Sequence, residues 1–485
     1  MDKKKLGKFL FDNKVVLLFL VLCIGATIAS KQSLSFVFTE LFTRISRNAF
    51  IVLSLIIPVV AGLGLNFGIV IGAMSAQIAL FLTTYWGLTG ITGFMVTALL
   101  ATPISVLFGF LVGKLFNQMK GNEMIGGLVL GYFADGVYQF IFLFVFGGLI
   151  AMNNPTLMIP TGIGVKNTID LKDTIKYSLD TVPMLRIIEI GFYLFMISRV
   201  CSLIFTLAKK ETVKWRSFVL SIVAGVAVYA MTFVKPVEVF LSKDRLPLVS
   251  AIELGCLAVV LWNIGRIAAA KIRKDEDFKT KKALVNLALT AIIYGLSYIP
   301  QVETVLRSIQ LPVMTYLCIG ALCVFNNLLL KTRLGQNMRT VGQSRVAANA
   351  AGINVDQTRI IAMIFSTVLA SWGQLIYLQN VGTLSTYGAH NNVGQFAIAA
   401  LLVGGASIQK ANNKQALLGI ILFHTLFIVS PLAGKELFGD AAIGEYFRVF
   451  VSYGVIAMAL AMHAWKKVAK PKNETSATPN ETKAA

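Results

Sequence analysis

The stretch FIVLSLIIPVVAGLGLNFGIVIGAMSAQIALFLTTYW, residues 50–86, runs for 37 residues without a charged side chain. Its one interruption is the glycine-punctuated GLGLNFG at 62–68. A helix needs about 17–25 apolar residues to cross the hydrocarbon core. The run therefore reads as two crossings, 49–65 and 67–85, joined by a break instead of a polar loop. Backbone released from a helix inside a bilayer is tolerated only where protein or a water-filled cavity covers it. The break is expected to be covered, or to line a path.

The same pattern extends in both directions. Of 485 residues, 56% are hydrophobic and only 14% charged, with a mean hydropathy of +0.74. Such a chain is an integral membrane protein. Further apolar segments fall at 15–28, 91–116, 124–151, 184–207, 215–234, 249–270, 283–300, 311–330, 360–378, 396–406, 416–429 and 446–465. The expectation is an all-α, polytopic transmembrane helical bundle of about 14 spans, within a range of about 10–14. An alternating barrel pattern is absent.

The formal charge of +21 suggests nucleic acid in a soluble protein. Here the cations sit in short loops between apolar runs, which is a topology signal. Lys209, Lys210, Lys214 and Arg216 oppose one acid, Glu211. Lys271, Arg273, Lys274, Lys279, Lys281 and Lys282 dominate a later turn, whereas 152–183 balances Lys166, Lys172 and Lys176 with Asp170, Asp173 and Asp180. The alternation predicts that both termini lie in the cytoplasm, and the polar tail at 466–485 reads as disordered. Cys23, Cys201, Cys256, Cys318 and Cys323 lie in apolar segments without metal-ligand spacing and read as packing residues.

No catalytic constellation is present: His390, His424 and His463 lack metal-site context, and GFLVGKLF from Gly109 fails nucleotide-loop spacing. Gly109 and Gly113 read as small residues for close helix packing. Gly64, Gly68 and Gly72 allow two readings, a close-packed face or an unwound helix beside a solute path, with Asn66 supplying a polar group at membrane depth. Asp135, deep in its segment, lines a path or pairs helices, or else is a satisfied structural carboxylate; Glu189 and Glu253 lie nearer segment ends, within reach of headgroups or external water. STYGAHNNVGQF (385–396) gathers Tyr387, His390, Asn391, Asn392 and Gln395, suited to a neutral polar solute, a docked delivery protein, or simply water.

TRLGQNMRTVGQSRVAANAAGINVDQTR (332–359) is polar, basic and punctuated by glycine and alanine. Ala347, Ala350 and Ala351 share one helical face. Gly352 suits the stop of a short helix, and Asn354 or Asp356 the cap of the next. A helix this short is held by packing, so it is either a partner-docking helix or a well-structured loop.

This stretch closely resembles the cytoplasmic loop of ABC-importer permeases of the branched-chain amino acid, simple-sugar and nucleoside class, with the pattern T-R-x-G-x-x-x-x-A-x-G-x-N-x-x-A-A-x-x-x-G-I-N-V. Thr332, Arg333, Gly335, Gly342, Ala347, Ala348, Gly352, Ile353, Asn354 and Val355 fit it; Thr340 and Ser344 replace an alanine and an asparagine. IAALLVGGASIQKANNKQALLG (398–419) is similar to a second family stretch, although Lys410 to Asn413 replace a glycine-rich turn. GLGLNFGIVIGAMSA (62–76) resembles a third, with Asn66 at its polar position. The resemblance covers roughly 45–150 and 311–465. Between them, about 208–310 reads as an insertion with extra spans.

The resemblance implies a permease domain over 1–465 without an ATPase motif of its own. A separate cytoplasmic ABC ATPase would bind ATP and Mg and contact the coupling loop at 331–359 through Arg333, Gly335, Gly342, Arg345, Ala347, Ala348 and Gly352. A second permease subunit and an extracytoplasmic solute-binding protein complete the expected assembly, surrounded by membrane lipid and without nucleic acid. Gly64, Asn66, Gly68 and Asp135 are the expected pathway residues. The cargo leans to a simple sugar or nucleoside; a branched-chain amino acid importer and an ion-gradient-driven transporter are the alternatives.

Overall fold

The computed structural model describes residues 13–152, 154–160, 162–209, 215–273 and 280–468. The expected tail at 466–485 falls almost wholly outside them, as do Lys210, Lys214, Lys274 and Lys279 of the basic turns. The chain opens with α1 (Lys14–Ala29), α2 (Leu34–Ser54) and short α3 (Ile56–Val60), then resumes as α4 (Ile69–Tyr85), α5 (Gly90–Gln118) and α6 (Glu123–Phe140). α6 runs on through Ile141–Leu149, a stretch that is kinked where Phe146 (φ −77°, ψ 120°) and Gly147 (φ 89°, ψ −21°) leave helical geometry. An irregular segment carries strand β1 (Thr168–Asp170). Next come α7 (Met184–Ala208), α8 (Trp215–Ala230), α9 (Lys235–Leu241), β2 (Arg245–Pro247), α10 (Leu248–Arg273), α11 (Thr280–Ser297), α12 (Pro300–Ser308), β3 (Gln310–Pro312) and α13 (Val313–Leu329). The last part holds α14 (Arg333–Gln343), α15 (Arg345–Ala350), α16 (Val355–Val381), β4 (Thr383–Ser385), α17 (Ala389–Val403), α18 (Asn413–Phe438) and α19 (Ala441–Val468).

Each apolar segment read from the sequence falls on a helix. Among the described residues seven helices are long and apolar enough to cross a membrane, or up to ten if three bent pairs count as one span each. α8, α11 and α13 enter only through bent pairs, and α1, α4, α17 and α19 stand outside that count. The chain is thus an all-α, multi-spanning bundle with two short antiparallel strand pairs, β1 with β4 and β2 with β3.

α16 is the central helix, packed against α2, α4 and α5. Small residues allow the approach. A Cβ on Gly109 or Gly113 of α5 would lie 2.8 or 2.9 Å from the Cα of Ile364 or Ile360, and one on Gly72 of α4 would lie 2.7 Å from the Thr367 carbonyl oxygen. Backbones this close gain dispersion contacts that larger residues would forbid.

Several helix boundaries differ from expectation, and two of them bear on polar contacts inside the bundle. α2 begins at Leu34, well before residue 49, because the part before that position finds partners: Arg47 Nε donates to Asn380 Oδ1 at 2.9 Å, and Tyr316 Oη donates to the Phe42 carbonyl at 2.7 Å. Hydropathy alone stopped at those polar residues. The 385–396 stretch is no open loop: from Ala389 it is helix α17, with His390 fully buried.

Candidate functional site

The loop between α13 and α16 is capped at every turn. Thr332, Ser344 and Asn354 accept from the backbone N–H of Gly335, Ala347 and Gln357, opening α14, α15 and α16. Gly352 takes φ +75°, a left-handed stop that favours glycine. Of the two polar candidates, Asn354 is the one that caps α16, while Asp356 lies within its first turn.

Gly335 and Gly342 are fixed by contact. A Cβ on Gly335 would come within 2.1 Å of the Leu329 carbonyl oxygen, and one on Gly342 within 2.1 Å of that of Val60. Gly342 therefore presses α14 onto the end of α3. Ala348 is buried beside Val341 and Val355. Val346, Ala347, Asn349, Ala350 and Ala351 face outwards, and Val346 is 81% exposed. Arg333, the first residue of α14, is exposed as well. The result is a short helix with one anchored and one presented face. Alanine periodicity marks the face of this helix but gives no sign that Val346 is its exposed large apolar side chain.

Glu123, absent from the sequence reading, holds this loop down. Its Oε1 meets Arg345 Nη2 at 2.5 Å and Arg359 Nη2 at 2.6 Å, and its Oε2 accepts from Gly121 N at 2.9 Å. Arg359 also donates to the Phe116 carbonyl at 3.1 Å. One carboxylate thus joins the start of α6, the loop helix α15 and the first turns of α16. Asn117 and Lys120 add contacts to Asp356, at 2.9 Å to its carbonyl and 2.8 Å to its carboxylate. The only hint in the sequence was a single acid in the short turn QMKGNEM.

The break expected at 62–68 spans residues 61–68 and is buried throughout except for half-buried Gly62. Gly62 and Gly64 both have φ +74°. Gly62 abuts Gly342, and a Cβ on Gly64 would meet Met124 and Ile408 at 3.0 and 3.2 Å. Gly64 therefore lies in the break and is not part of a helical glycine face; Gly68 is the N-cap of α4. Asn66 dips inwards, donates to Ser366 Oγ at 3.1 Å, and keeps Oδ1 buried without a partner among the described residues.

Asp135 sits about 18 Å along the axis from the start of α6. Its Oδ1 lies 2.8 Å from His390 Nε2, and its Oδ2 accepts from Asn391 and Gln139, both at 3.1 Å. His390 Nδ1 lies 3.0 Å from Gln77 Oε1. Turning the Gln77 amide over lets a neutral His390 donate to Asp135. Asp135 thereby joins α6 to α17 at membrane depth, in a polar group that also includes α4.

At the far end from the loop, Asp180 is buried and accepts from Thr315 Oγ1 at 2.5 Å, Gln379 Nε2 at 2.9 Å and Asn380 Nδ2 at 2.8 Å. The carboxylate read as part of a charge-balanced loop instead ties the start of α13 to the end of α16. Among the described residues no cluster of His, Cys, Asp or Glu is arranged to hold a metal ion.

Fold and loop together define a polytopic helical membrane protein that presents one short, firmly based helix outside its bundle. The chain belongs to the family described as branched-chain amino acid transport system / permease component, which matches residues 178–460. It is similar to the xylose transport system permease protein of Haemophilus influenzae, at 28% identity over 221 residues, covering 44% of this chain and 54% of that one. It is 30% identical over 141 residues to the nucleoside ABC transporter permease protein of Lactococcus lactis, covering 29% and 43% of the two chains. Against the galactose/methyl galactoside import permease protein of Escherichia coli it is 26% identical over 180 residues, covering 36% and 50%. The chain spans about half the length of the curated relatives it matches. No solved structure matches it.

Proposed function

We propose that this chain is the translocation subunit of an ATP-binding cassette importer for a simple sugar or a nucleoside. Residues 331–359 couple it to a separate cytoplasmic ATPase, which binds the ATP and Mg. The carrying observation is α15: its outer face, Val346 and Ala347 with Asn349 and Ala350, is presented on a base fixed by Glu123 and by the Gly342 contact. The relatives' printed names favour sugar and nucleoside cargo over branched-chain amino acids.

In this reading the chain lies in a bacterial cell membrane with about 14 crossings and both termini cytoplasmic. The loop end is cytoplasmic; Lys120, Arg333, Arg339, Arg345 and Lys410 support that side. A second permease subunit completes the pathway, and a solute-binding protein delivers cargo at the far end. Asn66, Gly64 and Gly68 in the break, with Asp135 further along, are the pathway residues. The unpartnered Asn66 Oδ1 supports that role, since an unsatisfied buried acceptor carries a cost that a passing hydroxyl would relieve. Residues 208–310 are an insertion that leaves the side of the loop unchanged.

The test is uptake by sealed vesicles holding this chain with its co-purified ATPase. Accumulation of a sugar or nucleoside that requires ATP is expected. Accumulation that follows a proton or sodium gradient without ATP would overturn the proposal in favour of a secondary transporter.

A further inference from the structure

Residues 184–312 contain one structural unit twice. Pro183, Pro247 and Pro312 each stand immediately before a long helix, α7, α10 and α13, at spacings of 64 and 65 residues. In the first two copies a second long helix follows, then a bend, a short helix and a three-residue strand. The bend is 86° between α8 and α9 and 85° between α11 and α12. Even a local hydrogen bond repeats: Thr232 Oγ1 donates to the Tyr229 carbonyl at 2.6 Å, and Ser297 Oγ to the Tyr294 carbonyl at 2.7 Å.

Most positions differ between the copies, yet Glu189 coincides with Glu253 and Tyr229 with Tyr294. Each copy also has a cleft at the same place between its long helices. The first, about 560 Å³, is bordered by Gly191, Ser221 and Tyr229; the second, about 640 Å³, by Glu253, Cys256, Tyr294 and Tyr298. These helices are turned outwards, with Leu254, Leu257 and Ile293 exposed, so the clefts open on the surface that a bilayer covers.

Glu253 borders the second cleft while Glu189 does not border the first, and an acid on a helix turned towards the bilayer is costly unless it has a partner. In the first copy the partner is internal, Arg186 Nη1 at 3.0 Å from Glu189 Oε2. In the second, Ser250 occupies the position of Arg186. Glu253 Oε1 accepts from Tyr298 Oη at 2.7 Å, and Tyr298 in turn from Tyr294 Oη at 3.3 Å. Among the described residues no lysine or arginine pairs with Glu253.

We infer that the α10–α11 cleft binds a membrane lipid with an ammonium headgroup. Glu253 lies about 7.5 Å along the axis from the start of α10, in the first two turns of an apolar span and so near the end that a headgroup can reach. Its carboxylate supplies the countercharge that Arg186 makes unnecessary in the first copy. Tyr298 and Tyr294 orient it, and the apolar walls take an acyl chain.

The experiment compares lipid retention by the purified full-length protein after exposure to mixed vesicles of phosphatidylethanolamine and phosphatidylglycerol, read by native mass spectrometry. Wild type should favour phosphatidylethanolamine about tenfold. Ser250→Arg, which copies the first unit's own arrangement, and Glu253→Gln should each bring the ratio close to one, while Glu189→Gln leaves it unchanged. Equal retention of the two lipids by wild type, or a preference that survives both cleft variants, would overturn the assignment. So would efficient cross-linking of Cys256 between two chains in native membranes, because protein would then fill the cleft.

Discussion

Arg359 Nη2 lies 2.6 Å from Glu123 Oε1, with the two side chains 0% and 7% exposed. Removing one partner of a buried pair leaves an uncompensated charge, at a cost of about 3–5 kcal/mol. Glu123→Ala should therefore markedly lower the unfolding midpoint of the purified protein. Arg345, whose side chain is 32% exposed, should cost only about 1 kcal/mol when replaced by alanine. Equal losses from the two variants would show that the network is not centred on the buried pair.

The two loop glycines should respond differently to a single methyl group. Gly342→Ala places a carbon against the Val60 carbonyl and must displace α14, a strain of about 1–3 kcal/mol or more. Gly352→Ala meets nothing within 4 Å and carries only the left-handed backbone cost of about 1–2 kcal/mol. Limited proteolysis of the loop reads the difference: Gly342→Ala should be cut faster than wild type, Gly352→Ala nearly as slowly.

Substitutions on the outward face of α15 should separate folding from coupling. Val346→Asp and Ala347→Trp are surface changes expected to alter stability by about 0.5 kcal/mol or less. Both should abolish ATPase co-purification and ATP-driven uptake. If uptake persists in both, α15 is not the contact.

Asp135 should behave as a joint between helices. Asp135→Ala strands the donors of Asn391 and Gln139 and the ring of His390, a loss of about 1–3 kcal/mol. Asp135→Asn retains the shape and one acceptor and should recover most of that stability. Comparable thermal midpoints for the two variants would contradict this role.

Hydropathy made the helices legible from end to end, because a spanning segment must be apolar over a set length whatever packs against it. It failed where polarity was satisfied by distant partners. α2 extends through Arg44 and Arg47 because Asn380, more than three hundred residues away, receives one of them. For His390 a solute, a docked protein and water all stay open from sequence, because nothing near it indicates that Asp135 meets it. The loop's glycines, caps and alanines could be read locally because capping and left-handed stops are local physics. Glu123 could not, since nothing in QMKGNEM indicates two arginines more than two hundred residues further on.

The Asp180 cluster adds a mechanical consequence. α13 and α16 are the two limbs that carry the loop, and Asp180 pins them together at the opposite end through Thr315, Gln379 and Asn380. α16 alone is about 40 Å long at 1.5 Å per residue. A limb of that length, pivoting at its pinned tip by about 5°, sweeps its free tip through about 3–4 Å. The contacts at the far end of these limbs, Gly342 against the end of α3 and Glu123 with Arg345 and Arg359, therefore act against any such tilt on the longest lever arm the helices offer.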